Sequence, residues 1–205
     1  MNYNTGTNLT DTQLVDKVLS GDTNAFGSII KNTERMIAQI VFKMIPTPDD
    51  RKDLAQDIYL KAFKKLGSFK FESKLSTWIA QIGYNTCLDY LRKKKFILPG
   101  NVYEENETAY DASGIISNKL SRAIEMETDN LILQKDLSVI LKTEIEKLSP
   151  VYKTMITLYH NEELSYDEIG QITGMPSGTV KSYLFRARKK LKDSLLLNYK
   201  KEDLC

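Results

Sequence analysis

Cysteine, histidine, proline and glycine are all scarce: the 205 residues hold two Cys, one His, five Pro and ten Gly. Cys87 and Cys205 have neither metal-ligand nor disulfide spacing, and His160 has no second imidazole with which to share an ion. A metal centre and a disulfide framework are therefore not expected, and a reducing, intracellular setting is the default. So few Pro and Gly argue against long fibrous or disordered stretches. No apolar run reaches the roughly 18–20 residues that cross a bilayer, so direct membrane insertion is not expected. The start, "MNYNTGTNLTD", has neither the basic nor the apolar part of a secretory signal, which leaves the cytoplasm as the expected location. Catalytic sets are missing too. There is no acid pair in a defined cleft, no Gly-rich phosphate loop and no Ser/Cys–His–Asp set, so neither an enzyme nor a bound cofactor is expected.

What is present is a core-forming composition, 41% hydrophobic, and an uneven charge. Residues 1–100 carry fifteen Lys and Arg against ten Asp and Glu. Residues 101–136 carry three against eight, and residues 137–201 eleven against seven. Two basic blocks flank an acidic one, as expected of two anion-binding modules on a tether that repels the same anion; chance variation in surface charge gives the same counts.

Apolar residues recur at helical spacing almost throughout. "TDTQLVDKVLSGDTNAFGSIIKNTERMIAQIVFKMI" reads as two helices split at Ser20-Gly21-Asp22. Thr10 or Asp11 caps the first, and Phe26, Ile29, Ile30, Ile37, Ile40, Val41 and Met44 line the second. "PTPDD" breaks the chain, and Asp49 or Asp50 caps a third helix with Leu54, Ile58, Ala62 and Leu66 on one stripe, ending at Gly67. Ser76 is the expected cap of a fourth, with Ile79, Ile82, Leu88 and Leu91 inside. Residues 97–128 lose the pattern and read as an acidic linker, with helix resuming near Asn118. From Asp129 a helix to Leu148 is followed by one capped by Ser149 with Pro150 first. The expected fold is all-α: two small helical domains, 10–96 and 129–197, joined by a flexible acidic linker.

"SYDEIGQITGMPSGTVKSYLFRARKKL" has helix-turn-helix arithmetic. Ser165 and Glu168 form a capping box, Gly174 supplies a left-handed stop, Met175 plugs the turn, and Pro176 or Ser177 opens the second helix. Val180 and Leu184 face inward. Lys181, Ser182, Phe185 and Arg186 face outward, where early residues of such a helix reach base edges. Thr179 and the amides at the helix start suit phosphate, and Arg188, Lys189, Lys190 and Lys192 suit backbone charge. An ordinary hairpin with a solvated basic face is the plainer alternative.

Two earlier stretches also stand out. In "DLAQDIYLKAFKKL", Asp53, Gln56, Asp57 and Lys61 share the face opposite the apolar stripe, as either a docking face or a solvated helix side. In "FKFESKLSTWIAQIGYNTCLDYLRKKK", Phe69 and Phe71 lie beside Lys70 and Lys74, and Trp78, Tyr84, Asn85 and Tyr90 precede the basic run Arg92–Lys95. Cations that track phosphates beside aromatics that receive unstacked bases suit single-stranded nucleic acid. Core burial of Phe69, Phe71 and Trp78 is the alternative.

Taken in order, "LVDKVLSGDTNAFGSII", "DLAQDIYLKAF", the Phe69–Lys95 stretch and "LSPVYKTMITLYHNEELSYDEIGQITGMPSGTVKSYLFRARKKLK" resemble a group IV, extracytoplasmic-function sigma factor of the sigma-70 family, the promoter-specificity subunit of bacterial RNA polymerase. The resemblance implies region 2 at 10–96 and region 4 at 129–197. It implies that Asp53, Gln56 and Asp57, with Lys61 beside them, dock on the β′ clamp helices of core polymerase. It places the flipped-base capture of the −10 element at Lys70, Phe71, Glu72, Ser73 and Lys74. Trp78, Asn85, Arg92, Lys93 and Lys94 then melt and read −10 DNA. Ser177, Thr179, Lys181, Ser182, Phe185, Arg186, Arg188 and Lys189 fall to the −35 element. The β flap and promoter DNA complete the implied partners, together with an anti-sigma factor of the kind that often restrains relatives. Nucleoid association in the holoenzyme follows. The linker 97–128 corresponds to a connector threading towards the active-site channel. His160-Asn161-Glu162 departs from the commoner Tyr/Val-Glu-Gly pattern. Tyr84 and Thr86-Cys87 stand where small or aliphatic residues are usual.

The rival reading is a stand-alone helix-turn-helix regulator that dimerises on half-sites about one helical turn apart. A metal-dependent nuclease is disfavoured, because Asp53 and Asp57 share one helix turn with no third ligand.

Overall fold

The computed structural model describes residues 9–97 and 134–199, with side chains placed for 9–94 and 138–199. The linker expected at 97–128, the helix restart near Asn118 and Cys205 lie outside the described residues, apart from Ile97. Among the described residues there are eight α-helices, one 3-10 turn and no strand. The chain divides into two compact units, 1–92 with 170–175, and 93–169 with 176–205.

In the first unit, α1 (Asp11–Leu19) begins with a capping box: Gln13 N donates to Thr10 Oγ1 at 3.3 Å and Thr10 N to Gln13 Oε1 at 2.9 Å. Thr10 is thus the cap. Asp11 has a longer-range task, accepting a 2.8 Å bond from the Leu75 amide. α2 (Thr23–Met44) is capped by Asp22, whose Oδ1 takes the Asn24 and Ala25 amides. Ile29, Ile37, Ile40, Val41 and Met44 are buried as expected, whereas Phe26 and Ile30 are only half-buried at the edge of the stripe.

α3 (Pro48–Lys65) starts on Pro48 after Thr47, which makes no side-chain cap bond. Asp49 and Asp50, expected as caps, instead lie in the first turn, where the positive end of the helix dipole favours them. The helix tightens into a 3-10 turn over Leu66–Ser68, so Gly67 sits inside the stop. Ile58, Ala62 and Leu66 are buried and Leu54 is half-buried.

α4 (Leu75–Ile97) begins one residue before Ser76, which is therefore not its cap; Asp11 supplies the acceptor for the first amide. Its core residues are Leu75, Ile79, Ala80, Tyr84 and Cys87. Ile82, Leu88 and Leu91, expected inside, are half-buried. The helix comes close to both α2 and α3 at Gly83, where a Cβ would lie 3.2 Å from Ile37 Cδ1 and 3.7 Å from Ile58. Burying each such Leu or Ile contributes about 1.5–3 kcal/mol, which holds a face this small together.

In the second unit, α5 (Gln134–Glu146) and α6 (Pro150–His160) both pack on α8 (Ser177–Asn198). Ser149 takes the cap position of α6 but is buried and makes no side-chain cap bond; Pro150 occupies the first position as expected. Met155, Leu158, Val180, Leu184 and Ala187 are fully buried. Glu144 is buried as well, and its carboxylate accepts from Lys147 Nζ at 2.5 Å, Ser194 Oγ at 2.6 Å and Tyr199 Oη at 3.1 Å. That tie fixes the far end of α8.

α7 (Tyr166–Thr173) crosses the division between the units. Its capping box forms as expected, with Ser165 N to Glu168 Oε2 at 3.0 Å and Glu168 N to Ser165 Oγ at 3.2 Å. Gly174 stops it at φ +71, a conformation costly for a residue with a Cβ, and the Met175 amide closes the turn on Gly170 O at 3.1 Å.

Candidate nucleic-acid interface

Three surfaces carry the candidate residues. On α3, Asp53, Gln56 and Asp57 are exposed on the side away from Ile58 and Ala62. Lys61 is half-buried, pairs with Asp57 Oδ2 at 2.7 Å and donates to Thr86 Oγ1 of α4 at 3.2 Å. One ion pair therefore forms on this face, worth under about 1 kcal/mol at such exposure. Leu60 (57% exposed) and Phe63 (47%) put apolar area on the same helix, beyond what a solvated side needs.

The second surface is the loop between the 3-10 turn and α4. Phe69 is buried, its ring 5.2 Å from Trp78 and 4.7 Å from Phe71. Phe71 ends this aromatic stack, 47% exposed and at φ +58, a left-handed backbone that costs a non-glycine residue about 1–2 kcal/mol. Lys70, Glu72 and Lys74 are exposed around it and Ser73 is half-buried. Further along α4, Asn85, Arg92, Lys93 and Lys94 are exposed, with Asp89 Oδ1 3.5 Å from Arg92. Two aromatics placed with this surface by the sequence are not available to a ligand. Tyr84 is 1% exposed and belongs to the core, and half-buried Tyr90 donates its hydroxyl to Asp50. Cys87, one turn from Tyr84, has its thiol pushed up to about 12 by burial.

The third surface is the outer side of α8. Lys181, Ser182, Phe185 (67% exposed), Arg188 and Lys189 are exposed, while Thr179 and Arg186 are half-buried. Two hydroxyls are already engaged: Ser177 with the Asp167 carboxylate, and Ser182 with Gly178 O at 3.0 Å. The cations are arranged on aromatic rings. Arg186 lies 5.0 Å over Tyr183, Lys190 5.4 Å over Tyr152 and Arg188 5.0 Å over Tyr159. His160 meets Arg188, not a second metal ligand; burial and that guanidinium lower its pKa.

Sequence reasoning passed over Tyr152, Tyr159, Tyr166, Asp167 and Tyr183, and noted Thr86 only as a departure from the family pattern. The available signal was Tyr at every seventh position, 152, 159 and 166, beside a cationic helix. Among the described residues no group of three or more His, Cys, Asp or Glu could hold a metal ion. No helix among them is long and apolar enough to cross a membrane.

Comparison with known proteins decides the family. The model described as Sigma-70 region 2 matches residues 29–97, and the one described as Sigma-70, region 4 matches residues 138–191. The ECF RNA polymerase sigma-E factor of Escherichia coli (strain K12) is 33% identical over 181 residues, 88% of this chain and 92% of the relative. The chain belongs to the ECF sigma factors of RNA polymerase. The ECF RNA polymerase sigma factor SigW of Bacillus subtilis (strain 168) is 31% identical over 181 residues, 88% of this chain and 94% of that one. CnrH, solved in complex with the cytosolic domain of CnrY, shares the fold at TM-score 0.60 and 20% identity, over 91% of this chain and 97% of that one. The sigma factor RpoE of Bartonella quintana, solved with the anti-sigma factor NepR, does so at TM-score 0.54 and 22% identity, over 85% and 98%. This sigma factor is a promoter-directing component of transcription initiation, and sigma factors are non-catalytic. Regions 2 and 4 in one chain do not favour a stand-alone regulator.

Proposed function

We propose that the three surfaces divide the work of promoter recognition. Asp53, Gln56, Asp57 and Lys61 dock on the β′ clamp helices of core polymerase. The loop Lys70–Lys74, with Trp78, Asn85, Arg92, Lys93 and Lys94, captures and holds the opened −10 strand. Ser177, Thr179, Lys181, Ser182, Phe185, Arg186, Arg188 and Lys189 bind the −35 duplex, and the β flap contacts region 4. Region 2 corresponds to 10–96 and region 4 to 129–197, with 97–128 as the connector. An anti-sigma partner that covers these faces fits the chain, since both solved neighbours above were determined with one or with a bound cytosolic partner domain. The factor acts in the cytoplasm and on the nucleoid within the holoenzyme.

The observation that carries the −10 assignment is Phe71. Phe71 is a large apolar ring left about half exposed on a left-handed backbone, resting on Phe69, which in turn meets Trp78, and the core gains little from holding it there. Strain of this kind collects at ligand-contacting sites. An unstacked base gains about 1–3 kcal/mol from such a ring, against the few kcal/mol that unstacking costs. Lys70 and Lys74 beside it suit the flanking phosphates.

On the −35 side, the exposed face Lys181, Ser182, Phe185 is offset from the buried stripe Val180, Leu184, Ala187. The test is promoter footprinting with reconstituted holoenzyme. Lys181→Ala and Arg186→Ala are expected to erase −35 discrimination while core binding persists. Asp57→Arg is expected to weaken core binding in a folded protein. An unchanged promoter profile, or undiminished capture of core, refutes the corresponding assignment.

A further inference from the structure

Lys74 stands where α4 would ordinarily carry a capping acceptor. Its carbonyl takes the first bond of the helix, from the Trp78 amide at 3.1 Å, so it holds the cap position. Its exposed side chain, an ammonium, has only donors to offer. The first helical amide, on Leu75, is taken instead by Asp11 Oδ2 at 2.8 Å. Leu75 is buried, where an orphan amide is costly. Asp11 is not the cap of its own helix, because the Thr10–Gln13 box fills that role.

The other end of the loop is tied to α1 as well. The 3-10 turn Leu66–Ser68 packs on α1, and a Cβ at Gly67 would lie 3.7 Å from Leu19 Cδ2. The Phe69 amide closes that turn on Leu66 O at 3.1 Å. Residues 69–74 are therefore strung between the two ends of one nine-residue helix, Leu19 at the entry and Asp11 at the exit. Phe71, on its left-handed backbone, lies in the middle of the span. Moving either end changes where that ring, Lys70 and Lys74 stand. A local cap at 74, a Ser or an Asp, would serve the helix but put a neutral or negative group where a cation now stands.

We propose that Asp11 is a positioning residue for capture of the −10 strand: it caps α4 from a distance, fixes the end of the loop and leaves position 74 to a cation. The proposal rests on the reading that this loop holds the opened strand. It gives a part in promoter opening to α1, which supplies no residue to the three surfaces.

The test uses holoenzyme on promoter DNA, with permanganate reactivity of −10 thymines read beside −35 protection and capture of core. Asp11→Ala is expected to lower −10 reactivity about fivefold, the scale of one hydrogen bond, with −35 protection and core capture unchanged. Asp11→Asn keeps an oxygen at the same reach and is expected to keep the reactivity. Asp11→Ser suits a first helical turn but ends one bond short of the Leu75 amide, so it is expected to behave like Asp11→Ala and reports even if that variant fails to fold. In a Phe71→Ala background, Asp11→Ala is expected to cause no further loss. Wild-type reactivity in Asp11→Ala or Asp11→Ser overturns the proposal. A loss in Asp11→Asn equal to that in Asp11→Ser also overturns it, since charge at the start of α1 and not the acceptor would then matter. A parallel fall in core capture, or a further loss in the Phe71→Ala background, shows a general structural role and overturns it too. If Phe71→Ala itself leaves −10 reactivity unchanged, the reading of the loop falls and the proposal with it; if Phe71→Ala lowers it and the Asp11 variants do not, only the proposal falls.

Discussion

Removing the carboxylate of Glu144 is expected to loosen the end of α8 from the rest of its unit. The side chain has 0% exposure and takes three hydrogen bonds, from Lys147, Ser194 and Tyr199. Ser194 and Tyr199 are the only two of these partners on or beyond the last turns of α8, so their loss falls on that segment. All three donors are partly exposed and can rehydrate, which limits the loss to about 1–1.5 kcal/mol for each of the two α8-side bonds, or about 3 kcal/mol with the emptied space. Glu144→Gln keeps an oxygen for Lys147 and Tyr199 and can turn its amide to Ser194. It loses only charge assistance, about 1.4 kcal/mol. In hydrogen exchange read by mass spectrometry, amides over 191–199 are then expected to exchange about 100-fold faster in Glu144→Ala and about 10-fold faster in Glu144→Gln. Amides of α1 serve as the unaffected reference. The pH dependence has a definite sign. Burial works against the charge of Glu144, but hydrogen bonds from Lys147 and Ser194 outweigh it and hold the carboxyl below its usual range. Stabilisation from a depressed carboxyl is fully present above about pH 4.3 and is lost as pH falls through the folded value. Wild-type protection, corrected for intrinsic exchange, should fall in that window while the Gln variant stays flat. Equal protection at 191–199 in wild type and Glu144→Ala refutes the reasoning.

Glu163→Gly is expected to raise stability by about 0.5–1 kcal/mol, because Glu163 sits at φ +53, where glycine avoids a steric cost that its own chain entropy only partly offsets; a lower Tm contradicts this. Cys87, buried and with its thiol pushed up to about 12, is expected to resist iodoacetamide at pH 8 in the folded protein and to react in urea; modification of the folded chain at the rate of a free thiol counts against that packing.

Several local signals in the sequence were read correctly, although the cap expected at Asp49 or Asp50 fell to Thr47. The Ser165–Glu168 box, the Gly174 stop, the Thr10 cap and the Val180–Leu184 stripe all depend on residues within a turn or two, and each forms. The other misses are long-range. Asp11 was a reasonable cap for its own helix, but it serves the Leu75 amide, 64 positions on. In α4 the buried face is set by a close approach to two helices at Gly83, so it turns towards Tyr84 and Cys87 and leaves Ile82, Leu88 and Leu91 at the edge. Spacing alone fixes a period but not which side of a broad apolar face goes in. The cationic face of α8 was legible as charge. Its support by Tyr152, Tyr159 and Tyr183 was not, since two of those rings come from another helix. Duplex binding was suggested by the helix-turn-helix spacing and single-strand binding by the mix of aromatics and cations, whereas core docking was assigned only through the resemblance, because an exposed Asp or Lys looks the same on a solvated helix.

The most direct measurement of the division of labour is permanganate mapping of unpaired thymines at a promoter, with holoenzyme carrying either the wild-type chain or Phe71→Ala. Wild-type holoenzyme is expected to expose −10 thymines and protect the −35 duplex, and the Phe71→Ala holoenzyme to keep the −35 protection with −10 reactivity sharply reduced. Equal −10 reactivity with the two proteins, or opening by core polymerase without either, would contradict it.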